Sequence, residues 1–186
     1  GTWDQVLCNA LRHEYGADIA LSAGVRWGTT TLEGEWITME DVMTQCAMTY
    51  GETYVMDMTG SELLNMLEGV ADNLFDPDPY LQSGGDMVRI GGLDYTIKPT
   101  AGLGKRISDA RLDNGHVIEA GETYKVAGWA SVNRTPEGRL MWDVVHDYIV
   151  GARGEDNVLR LPKINHPRVV GVKDNPGISD YPGELG

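Results

Sequence analysis

Asp18-Ile19-Ala20-Leu21-Ser22-Ala23-Gly24-Val25-Arg26-Trp27-Gly28 is the stretch whose reading decides how the rest of the chain is organised. Ile19, Ala20 and Leu21 form the apolar run of a short buried strand, and Ser22-Ala23-Gly24 breaks it. Arg26 and Trp27 follow on the bend, flanked by Gly24 and Gly28. A guanidinium is a planar, bidentate fork, and glycines on either side leave room for an anionic group to come close. Two readings fit these residues. One is an anion clamp with Trp27 walling off water. The other is a strand-end arginine paired to a surface carboxylate, with Trp27 in the core.

The totals narrow the function classes. A chain of 186 residues suits one ordinary domain with a real core. Hydrophobic residues make up 41% and there are 24 glycines, which points to a loop-rich mixed fold rather than a helical bundle. A formal charge of -13 and a pI near 4.6 repel nucleic acid and anionic lipid, so neither is an expected partner. An anion site on such a surface has to be a local cluster of arginine working against the overall field. No window reaches the apolar length of a membrane span, and no signal peptide is visible. The start at Gly1-Thr2-Trp3, without methionine, suggests an excised or processed piece. Cys8 and Cys46 lack CxxC spacing and sit in helix-like apolar patterns, which favours buried free thiols over a bridge.

Outward from the central stretch, local signals are clear. Thr2 to Tyr15 reads as a helix capped by Thr2, with a stripe of Trp3, Leu7, Ala10 and Leu11, ended by Gly16. Thr38-Met39-Glu40-Asp41 opens a second helix that runs to about Met48. Thr53 to Met58 alternates as a strand, and Thr59-Gly60-Ser61-Glu62 is a capping box for a third helix. That helix should bury Leu63, Leu64, Leu67, Val70, Ala71 and Leu74, and Asp76-Pro77 stops it. Met87 to Ile97 reads as strand interrupted at Gly91-Gly92, with Arg89 expected to face solvent. Asn114-Gly115 fits a tight hairpin turn, Tyr124 to Ala130 a further strand and Leu140 to Val150 a final helix. Beyond Gly151 prolines break every element, while Leu159, Leu161, Ile164, Val169, Val170 and Val172 argue for a tail laid over a surface. The expected division is a domain over 1–150 and a docking tail over 151–186.

The sequence carries little catalytic chemistry of its own. His13, His116, His146 and His166 are scattered without metal-ligand spacing, and no GxSxG elbow or Cys/His pair is visible. His13 suits a helix C-terminus, and His146 and Asp147 read as surface residues. Ser83-Gly84-Gly85 fits either a small anion nest or an ordinary turn.

At these residues the chain resembles a known family. Ala17 to Arg26 is similar to the Asn-x-Gly-Gly-(Ile/Val)-Arg stretch of the bacterial 5'-nucleotidase family's C-terminal domain. Met56 to Leu64, Leu81-Gln82-Ser83-Gly84-Gly85 and Tyr124-Lys125-Val126-Ala127-Gly128-Trp129 resemble that domain too. Within the family, Ser22 to Gly28, Gln82 to Arg89 and the tail from Pro162 resemble the thiosulfohydrolases of sulfur oxidation, the SoxB branch. Two departures stand out. Ser22-Ala23-Gly24 replaces the motif's asparagine and paired glycines, and a late Gly-Gly-Asp-Gly segment is absent after Trp129. Both agree with a substrate that has an anionic head and no base.

The resemblance implies an α+β fold, a mixed β-sheet with packed helices. It implies the C-terminal substrate-binding domain of a hydrolase whose N-terminal metallophosphatase-like domain holds two manganese ions. The implied substrate is a cysteine S-thiosulfonate on the SoxYZ carrier protein in the periplasm, cleaved to release sulfate. In that reading Arg26 grips the sulfonate, Trp27 and Trp129 shape the pocket beside Ser22 and Gly24, and Ser83, Gly84 and Gly85 form its far wall. No catalytic residue and no metal ligand is expected in this chain. The same architecture also serves nucleotidases and UDP-sugar hydrolases, and a non-catalytic carrier-binding or adhesion module is a further alternative.

Overall fold

The computed structural model describes residues 1–24, 30–47, 50–84, 86–131 and 138–173. The chain forms two compact units. The first is Gly1–Asp57, Arg89–Gly92 and Tyr124–Ile164; the second is Met58–Val88, Leu93–Thr123 and Asn165–Gly186.

In the first unit, helix α1 (Thr2–Tyr15) ends at Gly16, whose φ of 56° is left-handed and suits a residue without Cβ. Thr2 is the first helical residue rather than the cap. The cap position falls to Gly1, whose backbone nitrogen donates to Asp4 Oδ2 at 2.8 Å. Strand β1 (Ile19–Ser22) is buried along its whole length. Helix α2 (Met39–Cys46) starts from a reciprocal box in which Thr38 N–H donates to Asp41 Oδ2 at 2.7 Å and Asp41 N–H to Thr38 Oγ1 at 3.3 Å. The helix stops at Cys46; Met48, its expected end, lies outside the described residues.

Strand β2 (Thr53–Thr59) leads into helix α3 (Gly60–Phe75), whose Thr59/Glu62 capping box is present. Leu63, Leu67 and Ala71 of α3 are buried; Leu64, Val70 and Leu74 are half-buried. The expected strand around Arg89 is cut in two at Gly92, where φ is 85° and a Cβ would collide with the Asp18 carbonyl oxygen. Its halves are β3 (Arg89–Gly91) and β4 (Leu93–Ile97), and they join different sheets. After β5 (Ile107–Leu112), Gly115 turns the chain at φ 87°, but the returning segment makes a single bridge, Val117 to Arg111, rather than a strand. Strand β6 (Thr123–Trp129), helix α4 (Met141–Ala152) and the short strand β7 (Arg168–Val169) complete the order.

The first sheet runs β2-β6-β1-β3 and the second β5-β4-β7. In the first, β1 is parallel to β6 (Leu21 opposite Gly128) and antiparallel to β3 (Ser22 opposite Arg89). Helix α1 packs on β1, β3 and α4. Leu11, Met141, Val144 and Val145 are fully buried there, each worth about 1.5–3 kcal/mol of apolar burial. Cys8 and Cys46 are buried and unbridged. In the second unit, β4 pairs antiparallel with β5 and parallel with β7. Glu68 on α3 ties the helix to β5 by accepting the N–H groups of Arg106 and Ile107 at 2.9 and 2.8 Å. The mixed sheets with packed helices are the α+β arrangement the sequence implies.

Candidate functional site at the carboxyl edge of the first sheet

Parallel pairing of β1 with β6 carries both strands to the same edge of the sheet, so Ser22 and Trp129 emerge side by side. Trp129 Nε1–H donates to Ser22 Oγ at 2.8 Å, with Ser22 1% and Trp129 4% exposed. The bond satisfies the indole donor, which would otherwise be buried without a partner. Ser22 thereby holds Trp129 in place, and the next residue, Ala130, has φ of 60°, a left-handed backbone that a non-glycine residue adopts at a cost.

Antiparallel β3 brings Arg89 to the same edge. Its guanidinium lies on Gly24: Nη2 donates to the Gly24 carbonyl at 3.4 Å, and Nε is 3.5 Å from Asp4 Oδ2. A Cβ on Gly24 would stand 2.6 Å from Arg89 Cζ, so glycine is the residue that permits this stacking. Contrary to the expectation that Arg89 faces solvent, its side chain is only 29% exposed. The physical reason is the pairing of Ser22 with Arg89, which sets the arginine beside the end of β1. Sequence reading misses this role, and the adjacent Gly24 is the available signal for it.

Of the other expected site residues, Arg26, Trp27 and Gly85 lie outside the described residues. Ser83 and Gly84 belong to the second unit, where both are exposed and Gly84 sits against Asn73 and Leu74 near the end of α3. Ser22, Gly24 and Trp129 are thus brought together in the first unit, with Arg89 added to them.

The described residues limit the chemistry. Burial pushes the Cys8 thiol up to about 12, with Asp4 adding to the effect, so it is no nucleophile near neutral pH. His146 Nδ1 lies 3.0 Å from Asp147 Oδ1 on the surface, and the Arg139 bond holds the Asp147 carboxyl below its usual range. Among the described residues no three His, Cys, Asp or Glu side chains gather to hold a metal ion. No helix among them is long and apolar enough to cross a membrane.

Known structures share this fold. The sulfate thiohydrolase SoxB of Thermus thermophilus, solved with glycerol, superimposes with a TM-score of 0.78 and 29% identity, over 91% of this chain and 32% of that one. A Staphylococcus aureus protein described as a 5'-nucleotidase, solved with alpha-ketoglutarate, gives 0.67 and 17% identity over 90% of this chain and 36% of its own. A 5'-nucleotidase precursor, also from Thermus thermophilus, gives 0.67 and 18%, over 90% and 35%. At those identities the last two speak for the fold alone. This chain spans about a third of the length of each of these proteins. A search of curated protein sequences gives no match. The family profile described as "5'-nucleotidase, C-terminal domain" matches residues 2–134, and the chain belongs to that family.

Proposed function

We propose that this chain is the C-terminal substrate-binding domain of a two-domain thiosulfohydrolase acting on a cysteine S-thiosulfonate carried by a protein such as SoxYZ. The likeness to SoxB, at 29% identity over 91% of the chain, carries the reading. Arg26 would fork onto the sulfonate oxygens and favour the negative charge that develops there. Ser22 and Trp129 would act as positioning residues for that wall, and Trp27 as a cover against water. Water adds to the terminal sulfur, the S–S bond breaks, sulfate leaves, and the carrier keeps a persulfide. The two manganese ions belong, in this reading, to an N-terminal metallophosphatase-like domain, and no step is assigned to them on this chain. A periplasmic location goes with the same reading.

The second reading is a nucleotidase or UDP-sugar hydrolase, favoured by the family match. The full-length protein containing this chain separates the two. Sulfate release from a thiosulfonate-loaded carrier, without phosphate release from nucleotides, is the expected result; the reverse pattern favours the nucleotidase. Arg26→Lys keeps the charge but loses the fork, and turnover should fall roughly 10- to 100-fold, at ~1.4 kcal/mol per tenfold. Unchanged turnover would make Arg26 a structural residue.

A further inference from the structure

A second site, separate from the sheet edge, lies within the first unit. A cavity of about 690 Å³ opens between the start of α1, the 31–37 loop and the segment after α4. Trp3, Ile149, Leu159 and Leu161 form its floor and pack directly on the main core. At its mouth Trp36 is 79% and Leu32 63% exposed. The loop that carries them has a shape of its own: Leu32 N–H donates to Glu35 Oε2 at 2.8 Å, Glu35 N–H returns to the Leu32 carbonyl at 3.1 Å, and Gly34 takes φ 88°. An open indole over an apolar floor is an unusual use of a tryptophan unless something covers it.

The rim identifies what that is. Glu33, Glu35, Asp156 and Arg153 line the opening, and because Asp156 is paired with Arg160 at 2.6 Å, Glu33 and Glu35 carry the rim's excess charge, in a chain of net charge -13. A second copy would bring the same carboxylates against these and is disfavoured by repulsion. We propose that this cavity is a docking site for a short peptide segment of a protein partner, with bulky apolar anchors flanked by lysine or arginine. The anchors fill the floor, and a cationic head lies between the Trp36 face and the Glu33 carboxylate. Nothing in this inference depends on the thiosulfonate reading, and its test involves no catalysis.

The test is titration of the 186-residue chain with two capped hexapeptides, one alternating lysine and leucine, the other glutamate and leucine, followed by the tryptophan indole N–H resonances. The lysine peptide should shift the Trp3 and Trp36 signals, and added salt should weaken it. The glutamate peptide should bind at least about tenfold more weakly. Trp36→Ala should lower affinity for the lysine peptide roughly tenfold or more, and Glu33→Lys roughly threefold, with far-ultraviolet circular dichroism unchanged. Equal binding of the two peptides, an unaffected Trp36→Ala variant, or no shift at all would each overturn the proposal. Concentration-dependent self-association that buries Trp36 would overturn it in favour of a second copy.

Discussion

Arg89 in the first unit and Arg106 in the second both lie against backbone carbonyls, yet they are held in very different ways. Arg106 is 2% exposed, its Nε–H donates to the Pro99 carbonyl at 3.1 Å and its Nη2 to the Phe75 carbonyl at 2.9 Å. Its Nη1 pairs with Asp72, which also accepts the Gly104 N–H at 3.0 Å. That fork is part of the frame, joining the end of α3 to the approach to β5. Arg89 is half-open, and its contacts with Gly24 and Asp4 are 3.4 and 3.5 Å long. A buried cation with short, converging bonds belongs to stability. One that is partly exposed at the end of a sheet, beside the last residues of β1, contributes less to it.

The sharpest way to break this contrast is to remove each arginine. Arg106→Met should cost about 3 kcal/mol in urea denaturation, because the Pro99 and Phe75 carbonyls and the partly buried Asp72 lose a shared partner. A cost under about 1 kcal/mol would show that the second unit does not depend on it. Next in size is Ser22→Ala, expected at about 1–3 kcal/mol, since it strands the buried Trp129 N–H. Tryptophan fluorescence should shift with it; unchanged stability and emission would mean that Trp129 finds another acceptor.

The third test asks how tightly the first unit encloses the floor beneath β3, where a Cβ on Gly91 would stand 2.5 Å from Cys8 Cβ. The folded Cys8 pKa is about 12 against an ordinary value of 9.0, so above pH 9 the unfolded chain loses a proton that the folded one keeps. Stability should therefore fall by ~1.4 kcal/mol per pH unit between pH 9 and about 12, and the Cys8→Ala variant should lack this extra slope. Parallel slopes in the two proteins would show that the thiol opens to solvent. Smallest is Arg89→Met, which should change stability by less than about 1 kcal/mol, as a half-exposed pair with long bonds contributes little. A loss near that of Arg106→Met would erase the distinction between the two arginines.

Local features are legible in the sequence because their causes are local. The Thr38/Asp41 and Thr59/Glu62 boxes and the Gly16 stop each depend on residues within one turn. Gly91-Gly92 is readable as an interruption, but not as a switch between two sheets, since that depends on what pairs with each half. The strand pairing made by Arg168 and Val169 is hidden by the prolines around them. At the candidate site, resemblance points to Ser22, Gly24 and Trp129, while the Ser22–Trp129 bond spans 107 positions and follows from register alone. Arg89 escapes a sequence reading for the same reason. Ala130 carries no sign in its identity that its backbone turns left-handed.

The arrangement of β1 beside β6 has a consequence for how the protein is made. Everything from Met58 to Val88 and from Leu93 to Thr123 is inserted between strands of the other sheet. On a ribosome, β1 must wait until both of these segments have been synthesised before its parallel neighbour exists. Such long loop closure slows assembly and leaves an apolar strand edge open meanwhile. Products cut short before Thr123 would carry that unpaired edge permanently, and they are the species most prone to aggregate.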